Sequence, residues 1–225
     1  MYDSRESPKL DQRSLYIRGL IIRAFKGGGR GHLGSSMSLV EVLRVLYDDI
    51  LSYRPDDPLW NDRDRFILSK GHGCLTQYAL LADKGFIQME ALDKFCHADG
   101  LLGGHPEFRK IPGIEASTGS LGHGPSIGVG LALSAKLNNK SHRVFVVTGD
   151  GEINEGSVWE AAMSASKHKL DNFVLMVDYN KLQSYGKVSE VLDLEPLKDK
   201  FISFGFEAME ADGHDIIKIR EVLKT

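Results

Sequence analysis

A parallel α/β sheet flanked by helices on both faces is the fold this sequence predicts, and three observations carry it. Two short runs rich in β-branched and aromatic residues, Val144-Phe145-Val146-Val147 and Phe173-Val174-Leu175-Met176-Val177, read as buried strands. Segments of helical periodicity alternate with strand-like runs along the chain, the order expected of parallel strands joined by crossover helices. Both runs lead into polar turns, one holding Gly149-Asp150-Gly151 and the other Asn180. Parallel strands would bring this Asp and Asn to one carboxyl edge of the sheet, where open α/β folds bind ligands. Hard oxygen donors at such an edge suit a magnesium ion that carries a phosphate ligand. Taken as an isolated tripeptide, Gly-Asp-Gly is equally a common turn.

The elements follow in order. Ser38-Leu39-Val40-Glu41 has the form of a capping box, and Leu39, Val42, Leu43, Leu46 and Ile50 then recur at helical spacing. Arg65-Phe66-Ile67-Leu68 predicts a short strand, followed by Gly71-His72-Gly73 and a helix through Leu81. Small and apolar residues mix over 124–137 (Gly128, Gly130, Ala132, Ala135), as in a helix packed closely on its neighbours. A further helix is expected over 157–167, with Trp159 and Met163 on one face. Phe204-Gly205-Phe206-Glu207-Ala208-Met209 predicts a strand interrupted by its glycine, and a last helix is expected over 216–224.

Composition bounds the class. A chain of 225 residues makes one large domain or at most two, long enough to bury a core. A formal net charge of −3 without basic runs argues against a nucleic-acid surface. The polar, charged stretch Met1 to Ser14 is unlike a signal peptide, and no run approaches the ~18 apolar residues of a membrane span. Cys74 and Cys96 stand apart without a paired-thiol motif, which fits packing roles in a reducing, cytoplasmic compartment.

Eight histidines are present, and five follow a glycine: His32, His72, His105, His123 and His214. With 24 glycines in 225 residues, chance would give fewer than one such pair, so the excess points to a polar pocket. A preceding glycine lets the backbone turn tightly, and an imidazole can hydrogen-bond phosphate or move protons near neutral pH. Gaps of 40, 33 and 18 residues match no zinc-ligand spacing. Taken singly, each histidine fits a structural role as well.

Gly31-His32-Leu33-Gly34, Ser69-Lys70-Gly71-His72, Gly104-His105-Pro106-Glu107, Ser117-Thr118-Gly119-Ser120-Leu121-Gly122 and the Gly149-Asp150-Gly151…Asn180 signature stand in one order. In that order they resemble the diphosphate-binding amino-terminal domain of transketolases, particularly the version encoded as a separate subunit. The likeness runs from about residue 10 to the last residue. It implies a thiamine diphosphate-binding fold, one diphosphate-binding domain over 1–225, and thiamine diphosphate with magnesium (calcium or manganese as substitutes). By similarity Asp150, Asn180 and the Leu182 carbonyl are expected to hold the metal. His72, Gly119, Ser120, Leu121, Gly149, Gly151, Glu155 and Asn180 are expected around the cofactor. His32 and His105 are expected to face the sugar and the bond being broken. Glu155 and Glu160 look like the acidic cluster at the subunit interface and complete the expected catalytic set.

The implied chemistry is transfer of a two-carbon ketol unit from a ketose or its phosphate to an aldose, with the cofactor supplying the carbanion chemistry. The family's pyrimidine-binding domain carries the activating glutamate and is expected on a partner subunit, in a heterotetramer active only as an assembly. The likeness also places the domain's last strand and final loop, with one more cofactor-binding histidine, outside this sequence. His123 stands where many relatives have glutamine and Ser184 where a large apolar residue commonly flanks the cofactor. The segment 97–102 lacks an arginine expected before Gly104-His105. These departures point to an unusual sugar substrate. Another thiamine enzyme such as a deoxyxylulose-phosphate synthase, and a non-catalytic scaffold that kept the fold, are the competing readings.

Overall fold

Residues 10–184 and 186–224 are described by a computed structural model. Three strands form a parallel sheet in the order β1 (Arg65–Leu68), β2 (Val144–Gly149), β3 (Phe173–Asp178). Arg65 pairs with Val144, Val144 with Phe173, and Gly149 with Asp178, so the two long apolar runs end level with each other. Every residue of the central strand β2 is buried, as expected of a strand covered on both faces.

Side chains alternate between those faces. Phe66, Leu68, Phe145 and Val147 point to a core built with Ile17, Ile21, Leu43, Leu75 and Leu80. That core is supplied by α1 (Gln12–Gly28), α3 (Val40–Val45, continued by a wider π turn over Leu46–Ile50) and α4 (Cys74–Asp83), with α2 (Leu33–Met37) between the first two. Ile67, Val144 and Val146 face the other way, onto Val129 and Ala132 of α5 (His123–Leu137) and Ala161 and Ala165 of α6 (Gly156–Lys167). Small residues on α5 permit this approach: a Cβ on Gly128 would lie 2.5 Å from Val146. Helices therefore cover both faces, as the alternation of segments predicts.

After β3 the chain makes a small antiparallel hairpin, β4 (Leu182–Gln183) with β5 (Gly186–Lys187), then α7 (Val188–Val191), α8 (Leu197–Ser203) and α9 (Ile216–Lys224). Among the described residues no helix is long and apolar enough to cross a membrane. Cys74 is buried, its Sγ 3.2 Å from the Gly104 carbonyl, and burial pushes its thiol up to about 12; both cysteines are free.

Two local expectations are corrected. Ser38 does not N-cap the following helix: it ends α2, and α3 begins at Val40 without a side-chain cap. The Ser38 hydroxyl instead donates to Asp178 Oδ2 at 2.6 Å, and Glu41 is committed to Arg18 and His214. Charged partners in the interior outweigh a local cap that water could replace. Nor is 204–209 a strand. Phe204 and Gly205 close the last turn of α8, and the Phe206 amide bonds back to Phe201. Phe204, Phe206 and Ala208 do alternate onto one face, but it packs on Trp159 and Phe201 and joins no ladder. The period was legible; the pairing partner was not.

Candidate active site

The carboxyl edge of the sheet gathers its polar side chains around two buried charges. Lys70, just past β1, is 1 % exposed, and its Nζ donates to Asp178 Oδ2 at 2.6 Å. Asp178 ends β3, so this ion pair spans the sheet past Gly149, the last residue of β2. Asp150, the next residue, is buried with Oδ1 accepting from the Gly151 amide at 2.8 Å and Oδ2 from the Lys181 amide at 2.6 Å. Lys181 adopts φ +66°, which folds the loop 180–182 over Asp150. Asn180 Oδ1 accepts from the Leu182 amide at 2.9 Å. The turn and the loop predicted from the carboxyl ends of two different strands are thus in contact.

Three of the five Gly-His histidines meet here. His32 and His72 pack edge to face with ring centroids 5.5 Å apart. Burial, the Lys70 ammonium and the His32 and His105 rings hold His72 down to about 4, and burial and His32 lower His105. His72 and His105 are therefore neutral at pH 7. Among the described residues none of the three rings has a hydrogen-bond partner, so all three are available to a ligand. His105 lies against Gly119, where φ is +130° and a Cβ would come within 2.8 Å of the ring. Gly71 abuts Thr118 on the other side of that loop, and Thr118 Oγ1 is buried without a partner. Ser120 is exposed and Leu121 half-buried at the loop's end.

The other two histidines correct the reading of all five as one pocket. His123 is exposed at the start of α5 and its Nδ1 lies 3.1 Å from the Leu121 carbonyl. His214 is bound to Glu41 at 2.9 Å, in a clamp that ties α9 to α3. Glu155 and Glu160 are exposed, and neither joins the buried network. Glu155 abuts Gly122, where a Cβ would lie 2.6 Å from its own.

The chemistry of this donor set suits a metal-held diphosphate. Asp150 is a buried carboxylate whose nearest donors are neutral amides, and burial raises its pKa, as expected where a cation would compensate the charge. Asp150, Asn180 and the Leu182 carbonyl offer the hard oxygens magnesium takes while leaving positions for phosphate and water. Thr118 Oγ1 leaves a hydrogen-bonding atom unused beside Gly71 and Gly119. The residues fit the group. Among the described residues no three His, Cys, Asp or Glu side chains come together in a metal-binding group.

Residues 11–225 match the transketolase thiamine diphosphate binding domain. The chain belongs to the transketolase family. Its relatives include one subunit of the apulose-4-phosphate transketolase from Actinobacillus succinogenes, 41% identical over 96% of this chain and 79% of that protein. One subunit of the 6-deoxy-6-sulfo-D-fructose transketolase from a Clostridium species is 40% identical over 96% and 78%. The solved transketolases of Leishmania mexicana and Campylobacter jejuni superpose with TM-scores of 0.89 and 0.90 at 34% and 32% identity. This chain covers 95% of its own length in each match but spans about one third of those transketolases, 34% in each. It spans 66% of the apulose-4-phosphate transketolase subunit from Phocaeicola vulgatus.

Within this transketolase domain, two groups escaped the sequence reading. One is Lys70 with Asp178 and Ser38; the other is Glu152, which is 2 % exposed and bonded to Ser69, Gly122 and Gly149. Lys70 stands inside a recognised motif, but its partner is 108 residues away. Glu152 had only its place after Gly-Asp-Gly to mark it.

Proposed function

We propose that this chain is the thiamine diphosphate-binding subunit of a two-subunit transketolase-like enzyme, folded as a single domain. It would act in transfer of a two-carbon ketol unit from a ketose or ketose phosphate to an aldose acceptor. The observation that carries the reading is the convergence, on the edge that holds Asp150, of three imidazoles with no hydrogen-bond partner among the described residues. Asp150, Asn180 and the Leu182 carbonyl would hold magnesium, and the Gly151 backbone would lie against the diphosphate. When bound, the cofactor supplies a stabilised carbanion for cleaving and remaking the carbon–carbon bond.

The chain's own residues would bind and move protons around that event. His72, kept neutral by burial and by Lys70, presents an N–H to a phosphate oxygen without the desolvation cost of a buried imidazolium. His32 and His105 are more exposed and would face the sugar. A neutral ring there can take a hydroxyl proton at one nitrogen while its other N–H holds a second hydroxyl, the double role that makes imidazole a general base near neutral pH. Gly119 keeps the His105 ring seated close to the cofactor loop, with Ser120 and Leu121 continuing along the pyrimidine side. Glu155 and Glu160, both exposed, would meet an incoming protein surface. The pyrimidine-binding domain would come from that partner, in a heterotetramer with sites at the subunit interfaces. The names of the subunit relatives support a partner, and their unusual sugars support a substrate other than the ordinary pentose phosphates.

Titration calorimetry of thiamine diphosphate with magnesium tests the reading, on this chain alone and with its candidate partner. Uptake that Asp150→Ala reduces by at least ~100-fold is the expected result. No uptake in either setting would leave the non-catalytic scaffold as the better account.

A further inference from the structure

We propose that Glu152 is a positioning residue of this edge: one buried carboxylate that ties together the three loops expected to carry the cofactor. The consequence for binding rests on the proposed function; the geometry does not. Glu152 Oε1 accepts from the Ser69 hydroxyl and from the Gly122 amide at 2.8 Å, and Oε2 accepts from the Gly149 amide at 3.1 Å. Ser69 Oγ in turn accepts from the Gly124 amide at 3.1 Å.

Each donor belongs to a different wall. Ser69 opens the turn that carries Lys70 and His72. Gly122 ends the loop that carries Gly119, Ser120 and Leu121. Gly149 precedes Asp150. A carboxylate that is 2 % exposed persists only when its lone pairs are satisfied. Here the donors are a hydroxyl and two backbone amides, because Lys70 is committed to Asp178. The negative charge therefore holds three neutral donors, one hydroxyl and two backbone amides, in one register, 83, 30 and 3 residues away in sequence.

The arrangement also caps α5 from outside. Gly122, its N-cap, has φ +80° and no side chain to offer, while Glu152 and the Ser69 relay take the amides of Gly122 and Gly124. The favourable end of that helix dipole is thus used by a protein carboxylate. On the proposed function, the anion-binding role at this edge would fall to a metal held by Asp150 and to His72 rather than to α5.

Glu152→Gln preserves shape but points an amide NH2 at one of these donors, leaving at least one of them unpaired. Two measurements on the full chain read the effect: backbone amide hydrogen exchange, and titration of thiamine diphosphate with magnesium, with and without the partner, well below the melting temperature. The expected result is a rise of at least ~10-fold in exchange at Gly122 and Gly149 together, with cofactor affinity falling about 10- to 100-fold, the range for lost outer-shell support. Ser69→Ala should act in the same direction, more weakly, at Gly122 and Gly124; it provides the test should Glu152→Gln fail to fold. Unchanged exchange at Gly149, or faster exchange with cofactor affinity at the wild-type level, overturns the proposal. If the wild-type chain takes up no cofactor, the functional reading fails on its own. The exchange arm then still decides whether Glu152 couples the three loops.

Discussion

Two regions of this molecule use the same Gly-His dipeptide in opposite ways. At the carboxyl edge, His32, His72 and His105 crowd one another beside Lys70, and none has a hydrogen-bond partner among the described residues. Between α3 and the start of α9, His214 directs its ring to Glu41, which Arg18 already holds through two bonds of 2.6 and 3.0 Å. Burial and like charge push His72 down to about 4, whereas the Glu41 carboxylate raises His214. The contrast separates an imidazole kept available for a ligand from one spent on holding α9 in place. A dipeptide count cannot make that distinction; the charge beside the ring does.

The largest effect should come from breaking the Glu41 clamp. Glu41→Ala leaves Arg18 half-stripped of water without its carboxylate and is expected to cost about 3 kcal/mol of stability in urea denaturation. Cofactor affinity should stay at the wild-type level, because Glu41 bonds to Arg18 and His214 and to none of the residues expected to hold the cofactor. A matched loss of affinity would erase the distinction between the two regions.

His72→Ala should do the reverse. Among the described residues its ring has no hydrogen bond to lose in folding, so stability should move by less than ~1 kcal/mol. Thiamine diphosphate affinity should fall by about 2 kcal/mol, the value of a hydrogen bond to a charged group. Calorimetry and thermal melts on one preparation check both halves.

His214→Gln should have the smaller stability effect, under ~1 kcal/mol, since the ring is partly exposed and solvent screens its pairing with Glu41. The loss should also depend on pH. A raised folded pKa makes the His214 contribution complete below its ordinary 6.5 and lost as pH rises through the folded value. Stability curves of the wild type and variant should therefore converge above neutrality and separate below it. Divergence that grows toward high pH would reverse the assignment.

His72 carries the opposite sign. With its folded value near 4, the unfolded chain takes up a proton that the folded chain refuses between pH 6.5 and 4, so His72 costs stability across that window. Glu41, held down to about 2, adds stability above its ordinary 4.5 and loses it as pH falls toward 2. Ring-proton NMR gives the finest discrimination: His214 should titrate above 6.5 and His72 well below it. Equal midpoints would mean that the two environments do not differ as described.

Much of this architecture was readable in advance, for local reasons. The run 144–147 is buried throughout because β2 is covered by helices on both sides, whereas in β3 only Phe173 is buried and the rest of the expected buried strand is half-buried; α9 spans the residues expected of it. What misled was a local pattern with a distant competitor. Ser38 and Glu41 have capping-box spacing, yet Asp178 and Arg18 offer them charged partners. Phe204, Phe206 and Ala208 alternate like a strand and bury one face on Trp159 and Phe201, but a ladder needs a neighbouring edge as well as a pattern.

By itself the sequence determined the three strands of the parallel sheet, the covering helices, the family and the meeting of Asp150 with the Asn180 loop, because each rests on periodicity or on motifs a few residues long. Only the tertiary structure decided that Lys70 neutralises Asp178, that Glu152 rather than Glu155 or Glu160 sits in the buried network, and that three of five Gly-His rings share a site. Those outcomes depend on which charges are buried together across 83, 108 and 173 residues of chain. Electrostatic energy at short range in a dry interior is set by that juxtaposition, and no local spacing encodes it.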